Sequence, residues 1–263
     1  METRPAVGAL ALNAHPYEAV IADTEPSRRI AYRLRYQVYC LETGFEDPLH
    51  FETKEESDEF DAHSIHFLIR CTHTGGWLAS ARLVPRQEEG VLPVESHCRI
   101  DPARLGALSR PDGEVSRLLI VRRDPLIGPV SRFEKEGLLS ARTEMLRRLL
   151  IGLCSRARDL GLQNLGFFLA PSLKRVLTRL GIEAHLIGDA CHHRGVRHPY
   201  LGNVTQALEA LYAHGPATPG IEEVNEPYRL YSALELPLAP AVPFADAGPG
   251  GRSLDDGRCR GPG

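Results

Sequence analysis

The sequence predicts an α/β domain built on one mixed sheet, and three observations predict it. Apolar positions alternate through "HSIHFLIRC" and "WLASARLVP", two runs joined by a Gly-Gly turn, as in an antiparallel hairpin. Downstream, strand-like and helix-like stretches alternate, an order that builds sheets with helices packed on them. The 263 residues, 43% hydrophobic and 25% charged, are enough for one sizeable core.

The elements follow in order. "YEAVIAD", residues 17–23, reads as a short strand, and Glu25 with Pro26 opens a helix that Gly44 is placed to end. In that helix Ile30, Leu34, Val38 and Leu41 form the core-facing stripe, with Arg35 and Tyr39 one turn apart beside it. The acidic stretch 46–59 reads as a loop, and the hairpin comes next. Residues 85–113, rich in proline, glycine and mixed charge, read as an irregular connection into a strand, "EVSRLLIV", at 114–121.

From Gly137 to Leu160, Leu138, Leu139, Met145, Leu146, Leu149, Leu150 and Leu153 recur at helical spacing before Gly161. "NLGFFLA" is a buried strand, "PSLKRVLTRLG" a helix with Pro171 in its first turn, "IEAHLIG" a further strand, and "NVTQALEALYA" a short helix. The expected organisation is a flexible N-terminus at 1–15, a domain at 16–213, and a Pro/Gly/Ala-rich extension at 214–263, largely disordered from about 236.

Composition excludes some functions. The net charge of -3, from 31 basic and 34 acidic residues without a long basic block, argues against a nucleic-acid partner. No stretch reaches the roughly 18 apolar residues of a membrane span, and the N-terminus has no leader pattern, so the expectation is a cytoplasmic protein. Six cysteines, Cys40, Cys71, Cys98, Cys154, Cys191 and Cys259, are scattered without a CxxC pair, and reduced thiols are expected.

"CHHRGVRHPY" gathers Cys191, His192, His193 and His198, zinc-ligand types without metal-site spacing, so no metal is assigned. A loop lining a pocket and a plain surface turn around Gly195 and Pro199 both fit that stretch. Cys98 beside His97 is a candidate nucleophile pair by adjacency alone.

Four islands carry chemistry: Arg35, Tyr39 and Phe45; Asp58 and Asp61 in "SDEFD"; Arg82 in "SARLVP"; and Glu114, Ser116 and Arg117 in "EVSR". Singly, each also has an ordinary reading: a solvated arginine, an N-cap, an edge-strand charge. Glu114 and Arg117 enter a run apolar enough for mid-sheet. Residues i and i+3 of a regular strand face opposite ways, so the two could share a site only across a bulge or from different sides of an opening. A bulge also frees a backbone N–H, and such a donor can hold the oxyanion of a thioester carbonyl under attack.

In order and spacing these islands resemble the acyl-homoserine-lactone (autoinducer) synthases, with Tyr39 and Phe45 where that family usually shows Phe and Trp. "RYQVYCLETGFED", "EFDAHSIHFLIR" and "LPVESHCRID" look more like the acyltransferases associated with PEP-CTERM/exosortase systems. The resemblance covers roughly residues 28–200. Both groups share the GCN5-related N-acetyltransferase fold.

The resemblance implies transfer of a fatty acyl group from a thioester, on acyl carrier protein or coenzyme A, to a small amine, with no tightly bound cofactor. It makes Glu114 the general base, with Ser116 and Arg117 beside it. Arg35, Tyr39, Phe45, Asp58, Asp61 and Arg82 would bind the acceptor. The cluster Arg122, Arg123 and Arg132 would hold the donor or dock acyl carrier protein. The alternatives are an autoinducer synthase acting on S-adenosylmethionine and a non-catalytic acyl-carrier or ligand-binding module.

Overall fold

The computed structural model describes residues 16–106, 108–122, 132–213 and 230–232. The elements are β1 (Tyr17–Ile21), α1 (Glu25–Tyr36), β2 (Ile65–Cys71), β3 (Trp77–Pro85), α2 (Pro93–His97), α3 (Pro102–Leu105), β4 (Gly113–Ile120) and α4 (Arg132–Asp159). They continue with β5 (Asn164–Leu169), α5 (Pro171–Arg179), β6 (His185–Leu186), β7 (Cys191–His192), β8 (Val196–Asn203), α6 (Val204–Ala213) and β9 (Leu230–Ser232). The sheet runs β6-β8-β5-β4-β3-β2-β1-β9, with β7 paired to β8. Its pairs are antiparallel except β4 with β5 and β1 with β9.

Alternation along the strands sends side chains to two layers. Phe67 and Ile69 of β2 join Ala81, Leu83 and Val115 beneath Leu149, Leu150 and Leu153 of α4, with α5 and α6 closing the same face. Leu68 points the other way, with Val20 and Leu119, onto Ala31, Leu34 and Val38 around α1. Thr24 caps α1 in a reciprocal box with Ser27, and Pro26 occupies its first turn.

The structure departs from the sequence reading at several elements. Helix α1 widens into a π-helix over Gln37–Glu42. The wider turn shifts the register, so Leu41 is 53% exposed while Tyr39 is buried; Arg35, one turn before it, is buried against Glu56 and Asp61 rather than beside the core stripe. The connection 85–113 holds two short helices, each with a proline in its first turn and an acidic side chain, Glu95 or Asp101, on its leading N–H groups.

"IEAHLIG" supplies only the two-residue β6, and "CHHRGVRHPY" is no loop but the β7–β8 hairpin. Leu230–Ser232, in the stretch assigned to the extension, pair in parallel with β1. The segments 1–15 and 233–263 lie outside the described residues.

Cys98 and Cys191 form a disulfide with their Cα atoms 6.0 Å apart, which corrects the expectation of reduced thiols for this pair and removes Cys98 as a free nucleophile, while Cys40, Cys71 and Cys154 are free thiols. A pairing 93 residues apart leaves no local spacing pattern to read. The neighbouring main chains meet as well: Ile100 bridges Gly188, where any Cβ would lie 2.4 Å from the Arg99 carbonyl oxygen. Reduction, or Cys98→Ser, is expected to remove about 2–5 kcal/mol of stability. Melting curves with and without reductant test this, and coincident curves would contradict it.

Candidate active site

The site grows from two local folding events. In "SDEFD", Asp58 accepts the Phe60 N–H at 3.0 Å and Asp61 accepts the Asp58 N–H at 2.8 Å, a reciprocal cap that holds both carboxylates over β3. In β4 the register against β3 slips between Ser80–Leu119 and Arg82–Ser116, and Arg117 takes φ 52°, the left-handed region. Of the two ways in which Glu114 and Arg117 could share a site, this is the bulge.

The bulge turns Arg117 toward the acidic turn and builds a network of three arginines and three carboxylates. Arg82 donates from Nη1 to Asp58 at 2.5 Å and Asp61 at 2.6 Å, and from Nε to Ser116 Oγ at 3.1 Å. Arg35 donates to Asp61 at 2.7 Å and to Glu56. Arg117 reaches Glu56 at 3.0 Å and Asp58 at 2.7 Å. Arg35 and Arg82 are fully buried, so Arg82 is a central-strand residue and not an edge charge. Burial alone would raise the Asp61 carboxyl, but Arg35 and then Arg82 outweigh it and hold it well below the usual carboxylate range.

Beside the network opens a cavity of about 290 Å³. It lies where β4 and β5 part: they pair at Gly113–Leu165, Glu114–Gly166 and Val115–Phe167, and not beyond. Val115, Leu150, Phe167, Leu169, Leu173 and Leu177 give it an apolar part against α4 and α5. Glu114, Ser116, Arg117, Tyr39, Thr43 and Phe45 line a polar part. Glu114 is 1% exposed, and its Oε2 accepts the Val94 N–H from the start of α2 at 2.6 Å. Burial pushes its carboxyl up to about 8, against the lowering effect of that hydrogen bond and of Arg82 and Arg117.

The wall opposite is aromatic. His97 stacks on His193 with centroids 3.8 Å apart, and Phe168 stacks with both. Desolvation, then His97 and two arginines, lower His193 to about 4, so this wall is uncharged at neutral pH. The Tyr39 ring has Arg117 at 5.8 Å and Arg194 at 5.5 Å from its centroid.

Of the residues singled out from sequence, Glu114, Ser116, Arg117, Tyr39, Phe45 and Arg122 border the cavity. Arg35, Asp58, Asp61 and Arg82 do not; they stand behind its wall and fix Ser116 and Arg117. Arg123 lies outside the described residues, as does the side chain of Arg132. Sequence reasoning missed Glu56, which joins Arg35 to Arg117; its only signal was its place two residues before Asp58 in an acidic run. Of the two readings of the 191–200 stretch, the one that lines a pocket agrees with the structure, through His193, Arg194 and Arg197; His97, read only as a partner of Cys98, lines the same cavity from α2.

Comparison with known proteins adds the following. Residues 34–124, which contain every island from Arg35 to Arg122, match the family described as acetyltransferase (GNAT) domain. No curated protein matches the sequence. Among solved structures, TofI in a ternary complex with an inhibitor and MTA is similar at 21% identity and a TM-score of 0.53, over 74% of this chain and 96% of that one. The AHL synthase LasI is similar at 16% identity and a TM-score of 0.52, over 75% and 95%.

BjaI, a CoA-dependent acyl-homoserine lactone synthase with SAM and isopentyl-CoA, is similar at 16% and 0.51, over 76% and 89%. At these identities the likeness shows the fold. Among the described residues no helix is long and apolar enough to cross a membrane. The chain has the GNAT fold, and residues 34–124 within it match a GNAT acetyltransferase domain.

Proposed function

We propose that the protein is an N-acyltransferase that moves a fatty acyl group from a carrier thioester to a small amine. The observation that carries this reading is Glu114, a buried carboxyl at the parting of β4 and β5, held by one main-chain hydrogen bond and raised to about 8. An ammonium must lose a proton before it can attack. A base with a pKa near that of an α-amino group is matched to take that proton.

In the proposed step the amine nitrogen attacks the thioester carbonyl, the N–C bond forms and the C–S bond breaks. The ammonium proton passes to Glu114 through one water, as the carboxyl is almost wholly enclosed. The thiolate leaves and takes up the second proton, which the nitrogen sheds once the N–C bond has formed. Main-chain N–H groups that the bulge removes from the β3–β4 ladder face the developing oxyanion. The unpaired edges beyond Val115 and Phe167 receive the extended carrier arm, and the apolar part of the cavity receives the acyl chain. Arg122, at the end of β4, stands where an anionic donor enters, with Arg123 and Arg132 assigned to it from sequence.

Arg35, Asp58, Asp61 and Arg82 are positioning residues in this reading: they set Ser116 and Arg117 rather than touch the acceptor. Acyl carrier protein and coenzyme A are both candidate carriers, and the link to exosortase systems rests on the sequence resemblance. A second reading, an autoinducer synthase that acylates S-adenosylmethionine and closes a lactone, is supported by the ordered islands.

The test is amine-dependent thiol release from acyl-coenzyme A and acyl-carrier-protein thioesters of several chain lengths. Release that rises with added amine is the expected result, and a lactone product would select the second reading. Release at the same rate without amine would mark a thioesterase.

A further inference from the structure

Arg197 lies on β8, half-buried, on the polar part of the cavity. Its Nε donates to the His193 carbonyl at 3.0 Å and its Nη1 to the Phe168 carbonyl at 3.5 Å. Two neutral main-chain acceptors thus orient the guanidinium without cancelling its charge, and they engage only two of its five N–H donors. Arg117 and Arg194, the cations on either side of Tyr39, are each ion-paired, Arg117 with Glu56 and Asp58 and Arg194 with Glu46. Among the described residues no carboxylate lies within ion-pairing distance of Arg197.

The surroundings add no compensating negative charge. The arginines and carboxylates of the buried network match in number, and the His97–His193 wall is uncharged. Half-burial disfavours the lone cation, Tyr39 offsets part of that, and Arg117 disfavours it further. An anion brought by a ligand would relieve both, and an oriented guanidinium is the side chain best suited to a planar carboxylate.

We infer that Arg197 receives the carboxylate of the amine acceptor, so that the enzyme selects amines bearing a carboxylate, of which α-amino acids are the smallest. This rests on the acyltransfer reading. It places the specificity-determining residue on the disulfide-tied β7–β8 hairpin, outside the four sequence islands. His193 of the aromatic wall shares that hairpin with Arg197, and the disulfide ties it to the chain beside His97, so a flat surface for the acceptor's body and a charge for its head lie side by side.

The test compares acceptors that differ only at the carboxylate: leucine with leucinamide, phenylalanine with phenylalaninamide, and S-adenosylmethionine with its decarboxylated form. Each is assayed for transfer and, by calorimetry without donor, for binding, with wild type and Arg197→Met. The wild type is expected to prefer the carboxylate member of its working pair. Arg197→Met is expected to weaken that member by about 10–100-fold, the range for a hydrogen bond to a charged group. The neutral member and the KM for the acyl donor should not change.

Equal use or equal binding of both members by the wild type would overturn the inference. So would an equal loss on both members in Arg197→Met, no binding of any carboxylate member, or a rise confined to the donor's KM, which would assign Arg197 to donor phosphates. Carboxylate-selective binding that depends on Arg197, without transfer to any amine, would overturn the transferase reading and leave this site standing.

Discussion

Glu114→Gln is expected to abolish turnover while the domain stays folded. Glutamine keeps the volume of the side chain and a carbonyl oxygen for the Val94 N–H, but it cannot take a proton. Loss of a general base costs about 10²–10⁴ in kcat, with the substrate KM values little changed. The same substitution has a stability signature of definite sign. Because burial raises the carboxyl to about 8 in the folded state, the native protein binds more protons than the unfolded chain between about pH 4.5 and 8, and wild-type stability falls as pH rises through that window.

Glutamine does not titrate, so the variant's melting temperature should gain on the wild type's from pH 5 to pH 8. Full activity in Glu114→Gln would remove this residue from the mechanism. Parallel melting profiles would show that the carboxyl is not raised.

The second large effect is expected at Arg35→Met. The guanidinium is fully buried, and its removal leaves three buried or half-buried carboxylates, Glu56, Asp58 and Asp61, sharing only Arg82 and Arg117. Breaking a buried ion pair from one side costs about 3–5 kcal/mol. For a domain of this size that corresponds to roughly 6–20 °C in melting temperature. The network is also an acid-sensitive element. Asp61 is lowered in the folded state, so its stabilisation is complete above its unfolded value of 3.8 and is lost as pH falls below it. The variant should therefore show a shallower acid limb in a pH series of denaturant melts, and an unchanged midpoint at neutral pH would show that the pair does not support the fold.

Much of this site was legible in the sequence because its parts are local. The Asp58–Asp61 cap is closed within four residues, and the Glu114–Arg117 spacing allows a shared site across a bulge, which β4 has, with Arg117 in the left-handed region. The hairpin of β2 and β3, helices α4 and α5, and strand β5 follow from periodicity and from their proline and glycine punctuation.

What was not legible depends on contacts distant in the chain. Arg35 reads as a solvated residue beside an apolar stripe until Glu56 and Asp61, more than twenty residues away, neutralise it and the π-helix turns Leu41 outward. The aromatic wall of His97, Phe168 and His193 is assembled from three elements, and the Cys98–Cys191 bond that ties two of them leaves no local pattern. Glu56 was hidden for a plainer reason: among the glutamates and aspartates of 46–59, periodicity cannot say which one turns inward.

The central claim is that this cleft joins an acyl group to an amine. The most direct measurement mixes the protein with a ¹³C-acyl thioester and a ¹⁵N-labelled amine and follows, by mass spectrometry, both the doubly labelled amide and the free thiol. The account predicts one amide for each thiol released in the wild type, and neither in Glu114→Gln. Thiol release that yields only ¹³C fatty acid, or a doubly labelled amide formed equally by Glu114→Gln, would contradict it.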